Sequence, residues 1–443
     1  MAPLRLGVAT SAFQIEGASA IDGRGPSIWD DFCAQPGRIL DGSNGSTACD
    51  SYARTGDDIA LLRELGVAGY RFSIAWPRIQ PFGTGAANQA GLDHYSRFVD
   101  ELLSAGITPM VTLYHWDLPA PLEQAGGWPA RDTAHRFADY AELVATRLGD
   151  RVEQWITHNE PWCAAFLGYA AGVFAPGRTD PADAFRAAHH LLLSHALAAE
   201  RVRAVASGAS VGLALNLTPV HAADGADPEA VRVVDGIQNG LWLDPLLDGR
   251  YPDLPHLAQA VPDPADDLAF VHGSADWLGI NYYTPFRVGV PLPERAGVGQ
   301  EVDAYPGAPP FSFHPTPPLT RMGWEVDPEG LAQVLRRVAE QAPGLTLRVT
   351  ENGAAFPDVR DAQGAVLDRD RIDYLAGHLS VVERVRVEGV PVTDYLAWSL
   401  LDNFEWAQGY TQTFGLVSVE PGTLRRVPKA SFAWYAEQVR SRR

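Results

Sequence analysis

In the stretch Glu153-Gln154-Trp155-Ile156-Thr157-His158-Asn159-Glu160-Pro161, aromatic and β-branched residues give way to His, Asn and Glu, and a proline follows. The first part reads as a buried strand, and proline is favoured at the first position of a helix. The polar residues therefore stand at the carboxyl end of a strand. Seven other runs share this build, at 5–13, 69–75, 108–114, 210–217, 277–283, 345–350 and 394–400. Helical periodicity fills the intervals. Leu92, Tyr95, Phe98, Val99, Leu102 and Leu103 recur at three- and four-residue spacing before Gly106, and Phe137, Tyr140, Val144 and Leu148 do so before Gly149. Asp327-Pro328 reads as an N-cap with proline behind it, leading into Leu331, Leu335 and Val338, and 371–386 repeats the theme.

Eight strands alternating with helices, without an internal polar linker, favour an α/β fold closed as a single (β/α)8 TIM barrel with long strand-to-helix loops. A chain of 443 residues divides into about three domains of roughly 150 residues on length alone. The alternation instead predicts one domain over 1–443. The exception to the pattern is 285–325, rich in Pro and Gly, which reads as an irregular loop bordering a site.

Apolar residues make up 46% and charged residues 20%, enough for a large core. The net charge of −19, spread along the chain, disfavours nucleic acid and anionic membrane as partners. The longest nearly apolar stretch, Trp162 to Ala175, is shorter than the roughly 18 residues that suggest a membrane span. The first ten residues lack the basic and apolar regions of a secretion signal, and Cys33, Cys49 and Cys163 are too few for a disulfide scaffold, so the expected compartment is the cytoplasm. Composition bears no sign of an oligomeric state.

In such a barrel, chemistry sits where strands end. Strand one leads to Gln14-Ile15-Glu16-Gly17, strand two carries Arg71, and strand three ends in His115-Trp116-Asp117. Strand four ends in Asn159-Glu160, strand six in Asn281-Tyr282-Tyr283, strand seven in Glu351-Asn352-Gly353, and the last leads through Trp398 to Asn403-Phe404-Glu405-Trp406. Amides, imidazole and carboxylates interleaved with indoles suit a hydroxyl-rich ring, whose polar edges need hydrogen bonds and whose C–H faces need flat apolar cover. Glu160 and Glu351, on strands four and seven, stand across the ring from one another. Two carboxyls flanking a glycosidic bond are the usual means of its hydrolysis.

The chain resembles glycoside hydrolase family 1, the β-glucosidase and β-galactosidase family. The resemblance runs from Ala9-Thr10-Ser11-Ala12-Phe13-Gln14-Ile15-Glu16-Gly17 through Tyr70-Arg71-Phe72-Ser73-Ile74-Ala75-Trp76 and the two glutamate motifs to Trp398-Ser399-Leu400-Leu401-Asp402-Asn403-Phe404-Glu405-Trp406. It implies a retaining exo-acting β-glycosidase, foremost a β-glucosidase with accessory β-galactosidase or β-fucosidase activity, acting on di- and oligosaccharides or aryl glycosides. It further implies Glu160 as acid/base and Glu351 as nucleophile, with Arg71, Asn281 and Tyr283 tuning the latter. The sugar-binding set carried over is Gln14, His115, Asn159, Trp398, Glu405, Trp406 and Phe414, with Trp116 and Trp324 toward the aglycone. Asn159 is expected on the 2-hydroxyl and Glu405 on the 4- and 6-hydroxyls. Relatives that take 6-phosphosugars carry Ser and Lys in place of the Glu405-Trp406 pair, so an unphosphorylated carbohydrate is the expected partner. No cofactor or metal is implied.

Two departures stand out: Thr411 to Glu420 lacks the basic residue usual before Phe-Gly and the usual Tyr-Val-Asp after it, and Ser51 stands where His is common. A catalytically silent sugar-binding protein on the same fold is the alternative from another class, although this chain keeps both glutamates, and preferential transglycosylation is a third reading. Cys163 reads as a packing residue on an apolar segment, and His158, His189, His190 and His195 read as structural.

Overall fold

A computed structural model describes residues 3–292 and 299–442. Eight strands close into one parallel barrel: β1 Arg5–Ala9, β2 Gly69–Ser73, β3 Thr108–Tyr114, β4 Gln154–Asn159, β5 Ser210–Asn216, β6 Trp277–Asn281, β7 Thr346–Asn352 and β8 Val392–Trp398. Each pairs with its sequence neighbours, and β1 meets β8 through Ala9 opposite Trp398. The strands are buried almost throughout because helices cover the outside and side chains fill the inside.

Two apolar cores result. The larger lies between strands and helices, while Ala9, Met110, Ile156, Ala214, Trp277 and Leu396 pack inside the barrel, capped by Trp398 and Phe414. The inner core is where Arg71 emerges, fully buried, with Ala9 and Met110 as its register partners. The predicted helices form at Gln89–Ser104, Arg131–Leu148, Pro328–Gln341 and Arg369–Val387. Asp327 caps the third, its carboxylate accepting from the Glu329 backbone N–H at 3.0 Å.

Two stretches depart most from the sequence reading. Strand one stops at Ala9 and a one-turn helix, Ala12–Ile15, follows, its first N–H held by Ser73 Oγ at 2.7 Å. The 285–325 stretch is more regular than its composition suggests. Phe286–Gly289 pairs in parallel with Val220–Ala222 and antiparallel with Ser312–Phe313, a 3-10 helix spans Gly299–Ala304, and Arg287 binds Glu325 through two bonds of 2.7 and 2.6 Å. Residues 293–298 of that stretch lie outside the described residues. Among the described residues no helix is long and apolar enough to cross a membrane.

Candidate active site

The strand ends turn sharply at the barrel mouth. Trp116, Glu160 and Trp406, none of them glycine, have φ of 73°, 44° and 49°. Such left-handed residues cost on the order of 1–3 kcal/mol each and persist only where the surroundings hold them. Glu160 is held by its N–H donating to Ala214 O at 2.8 Å and by a π-helix, Cys163–Leu167, that begins one turn later. After Glu351-Asn352, a side chain on Gly353 would stand 1.8 Å from Trp398 O, so glycine lets strands β7 and β8 converge here.

The two glutamates are joined by one chain of hydrogen bonds. Asn281 Nδ2 donates to Glu160 Oε1 at 2.8 Å and to Asn159 Oδ1 at 2.9 Å. Arg71 donates to Asn159 Oδ1 at 2.6 Å and to Glu351 Oε1 at 2.5 Å, and Tyr283 OH donates to Glu351 Oε2 at 2.5 Å. Thr112 Oγ1 accepts from Arg71 at 3.1 Å, and Thr350 Oγ1 donates to Asn281 Oδ1 at 2.7 Å, so both are fixed from behind. Asn159 Nδ2 lies 3.1 Å from His115 Nε2. With the amide donating there, the imidazole proton sits on Nδ1, which has no partner among the described residues and remains free to donate.

The charges of the two glutamates are set apart by these partners. Burial, followed by repulsion from Glu351, pushes Glu160 up to about 8, with Asn281, the Cys163 thiol and Arg71 opposing. Burial raises Glu351 too, but Arg71 and Tyr283 act against it directly, so Glu351 is the first of the pair to ionise. Glu405 is pushed up to about 8 by burial and then by Glu351 and Glu160. Burial and Arg71 hold His115 well below the usual histidine range, so it is neutral.

The cavity over these groups is lined by His115, Trp116, Asn159, Glu160, Asn281, Tyr283, Trp324, Glu351, Trp398, Glu405, Trp406 and Phe414, among others. His115 stacks on Trp398 and on Trp406, each at 5.9 Å, and Trp116 packs on Trp406 at 4.5 Å. Trp324 packs against Tyr283 at 5.5 Å and Phe414 at 6.1 Å on the other wall. Gln14 is the one expected sugar-binding residue absent from the lining. Its amide donates to Asn403 Oδ1 at 3.0 Å and Phe404 O at 2.9 Å and accepts from Ser11, fastening the loop that carries Glu405 and Trp406.

Cys163 does more than pack, contrary to its sequence reading. Its thiol donates to Glu160 Oε2 at 3.3 Å and faces the cavity. Its spacing of three residues from Glu160, one helical turn, is the signal the sequence offers for this contact. Among the described residues no group of three or more His, Cys, Asp or Glu is arranged to hold a metal ion.

The profile of glycosyl hydrolase family 1 matches residues 4–443. The chain is 48% identical to the bifunctional beta-D-glucosidase/beta-D-fucosidase of Bifidobacterium breve, over 97% of this chain and 95% of that protein. It is 43% identical to beta-glucosidase A of Thermotoga maritima, over 98% and 96%. The solved structure of the Thermotoga maritima beta-glucosidase in complex with deoxynojirimycin superposes with a TM-score of 0.92 at 42% identity, covering 99% of this chain and 98% of that one. A closed parallel barrel, paired glutamates at its mouth and these full-length matches agree: the chain belongs to glycosyl hydrolase family 1.

Proposed function

We propose that the protein is a retaining, exo-acting β-glucosidase that also accepts β-fucosides and β-galactosides, with Glu351 as nucleophile and Glu160 as acid/base. The observation that carries this reading is the unequal support of the two carboxyls. Glu351 has a guanidinium and a phenol on its two oxygens, whereas Glu160 has an amide and a thiol. One carboxyl is thereby ionised and ready to attack while the other keeps a proton for the leaving group. Asn281, Asn159 and Arg71 link the two carboxyls across the pocket, and retention calls for a separation of about 5 Å between them.

In the first half-reaction Glu351 attacks the anomeric carbon and Glu160 protonates the departing oxygen. The ester that forms carries no charge, so the repulsion that raised Glu160 falls away and its carboxylate can take a proton from water. Asn159, held by Arg71 and Asn281, has an N–H left for the 2-hydroxyl, and His115 lines the same pocket. Trp398 belongs both to the cavity lining and to the inner core, an aromatic floor that suits one terminal sugar. The names of the relatives support glucoside and fucoside substrates, and the Thermotoga enzyme has also been solved with a galacto-hydroximolactam. Residues from His115 to Trp406 line one pocket, and we read 1–443 as one catalytic domain. Cys33, Cys49 and Cys163 are not joined in disulfides, which supports a reducing compartment such as the cytoplasm.

Glu351→Gly should abolish hydrolysis of an aryl β-glucoside, and added azide should restore it with the α-glycosyl azide as product. If the first sugar released by the native enzyme has inverted configuration, double displacement is wrong.

A further inference from the structure

We propose that Cys163 is a positioning residue for the acid/base: its thiol holds one oxygen of Glu160 opposite Asn281 and favours the charged carboxylate that the second half-reaction needs. The inference rests on Glu160 being the acid/base. Cys163 follows Glu160 by three residues, and its N–H donates to Glu160 O at 2.9 Å, so backbone and side chain belong to one turn. The thiol reaches Glu160 Oε2 at 3.3 Å while Asn281 takes Oε1 at 2.8 Å, which fixes the plane of the carboxyl from both sides. Asn216 Nδ2 lies 3.7 Å from the sulfur and donates to it, leaving the S–H directed at the glutamate.

The other groups acting on Glu160 come from across the barrel: Glu351 from strand β7, Arg71 from β2, and Tyr283 and Glu405 from the segments after β6 and β8. Arg71 and Tyr283 are the donors that support the nucleophile, Glu351. Cys163 and Asn281 are therefore the donors on Glu160 that distinguish its two states. A strong donor would lower Glu160 too far for it to remain an acid at neutral pH; an apolar neighbour would leave the carboxylate unsupported when it acts as a base. A thiol is a weak donor between these limits. Cys163 and Glu160 both line the cavity.

The test is the pH dependence of kcat/KM for an alkyl β-glucoside, which needs protonation of its leaving group, measured on the native enzyme and on Cys163→Ser, Cys163→Ala and Cys163→Val. Folding of each is checked by thermal denaturation, and either donor-free variant that folds suffices. The native alkaline limb is expected near pH 8. Ala and Val should move it up by roughly half a pH unit, the size expected for one weak hydrogen bond to a carboxylate. Ser, which keeps a donor, should leave the limb at the native position or below it. A limb unmoved in folded Ala or Val variants, or one that Ser and Val move in the same direction, overturns the proposal. Failure of the native enzyme to hydrolyse any β-glucoside would instead overturn the reading of the site on which it rests.

Discussion

Arg71 and Glu351, 280 residues apart in sequence, meet through a 2.5 Å bond between a guanidinium with no solvent exposure and a carboxylate that is 4% exposed. The same guanidinium donates to Asn159 on strand β4, so the charge that stabilises one glutamate also orients the residue preceding the other. A buried pair of this kind is weak evidence for stability, because desolvation offsets much of the attraction. Its consequence is chemical: it decides which carboxyl ionises.

Arg71→Met should therefore act on the acidic limb. Burial already raises Glu351, and without the guanidinium it rises further. Activity needs ionised Glu351 and is lost as pH falls through its pKa, so in the variant the loss begins at higher pH. The limb moves toward neutrality, and the maximum of kcat/KM falls by roughly 100- to 1000-fold, about 3–4 kcal/mol of transition-state stabilisation. Breaking the pair should also cost about 3–5 kcal/mol of stability. A pH–rate profile with an unmoved acidic limb would show that Arg71 only packs.

Glu405 invites the opposite experiment, because the structure strains it and the proposed chemistry needs it. Held up to about 8 against an ordinary value of 4.5, it ionises at lower pH in the unfolded chain than in the folded one. Its contribution to stability is complete below pH 4.5 and shrinks as pH rises toward 8. Glu405→Gln should remove that decline: Tm above neutral pH rises relative to the native protein, with little difference at pH 4. The loss of a carboxyl that can bond two sugar hydroxyls should lower kcat/KM roughly 10- to 100-fold. A variant with unchanged Tm across the pH range would mean that Glu405 carries no such strain.

How far these features can be read from sequence depends on whether they are local. All eight barrel strands follow from local, mostly apolar runs, and the helix at Pro328–Gln341 from its Asp-Pro start. Ser11-Ala12-Phe13-Gln14 carries no such local signal, since a short apolar run suits strand or helix alike, and a bond from distant Ser73 settles it. The short strands within 285–325 are likewise made by partners, Val220–Ala222 among them, that lie far away in sequence. Within the site, residue types at strand ends indicate which groups could meet. They cannot reveal that Gln14 spends its amide on the Asn403–Phe404 loop, or that Asn281 reaches Glu160 as well as Asn159.

The only lysine in the chain offers a test of what supports that loop from below. Lys429 is fully buried and donates to Asp358 at 2.7 Å and Asp402 at 2.8 Å. Asp402 in turn accepts from the Gly415 N–H at 2.8 Å, and the segment between them carries Asn403, Glu405 and Trp406. Burial raises Asp402 and Lys429 opposes the rise. Lys429→Met removes the opposing charge, so Asp402 is driven to keep a proton that the unfolded chain gives up above pH 3.8. The loss of stability should then grow with pH, small near pH 4 and reaching about 3–5 kcal/mol above neutrality, where a buried carboxylate is left without its cation. Thermal denaturation of the variant and the native protein across that range measures it. A loss of equal size at both ends would mean that the lysine stem, through its packing, matters and its charge does not.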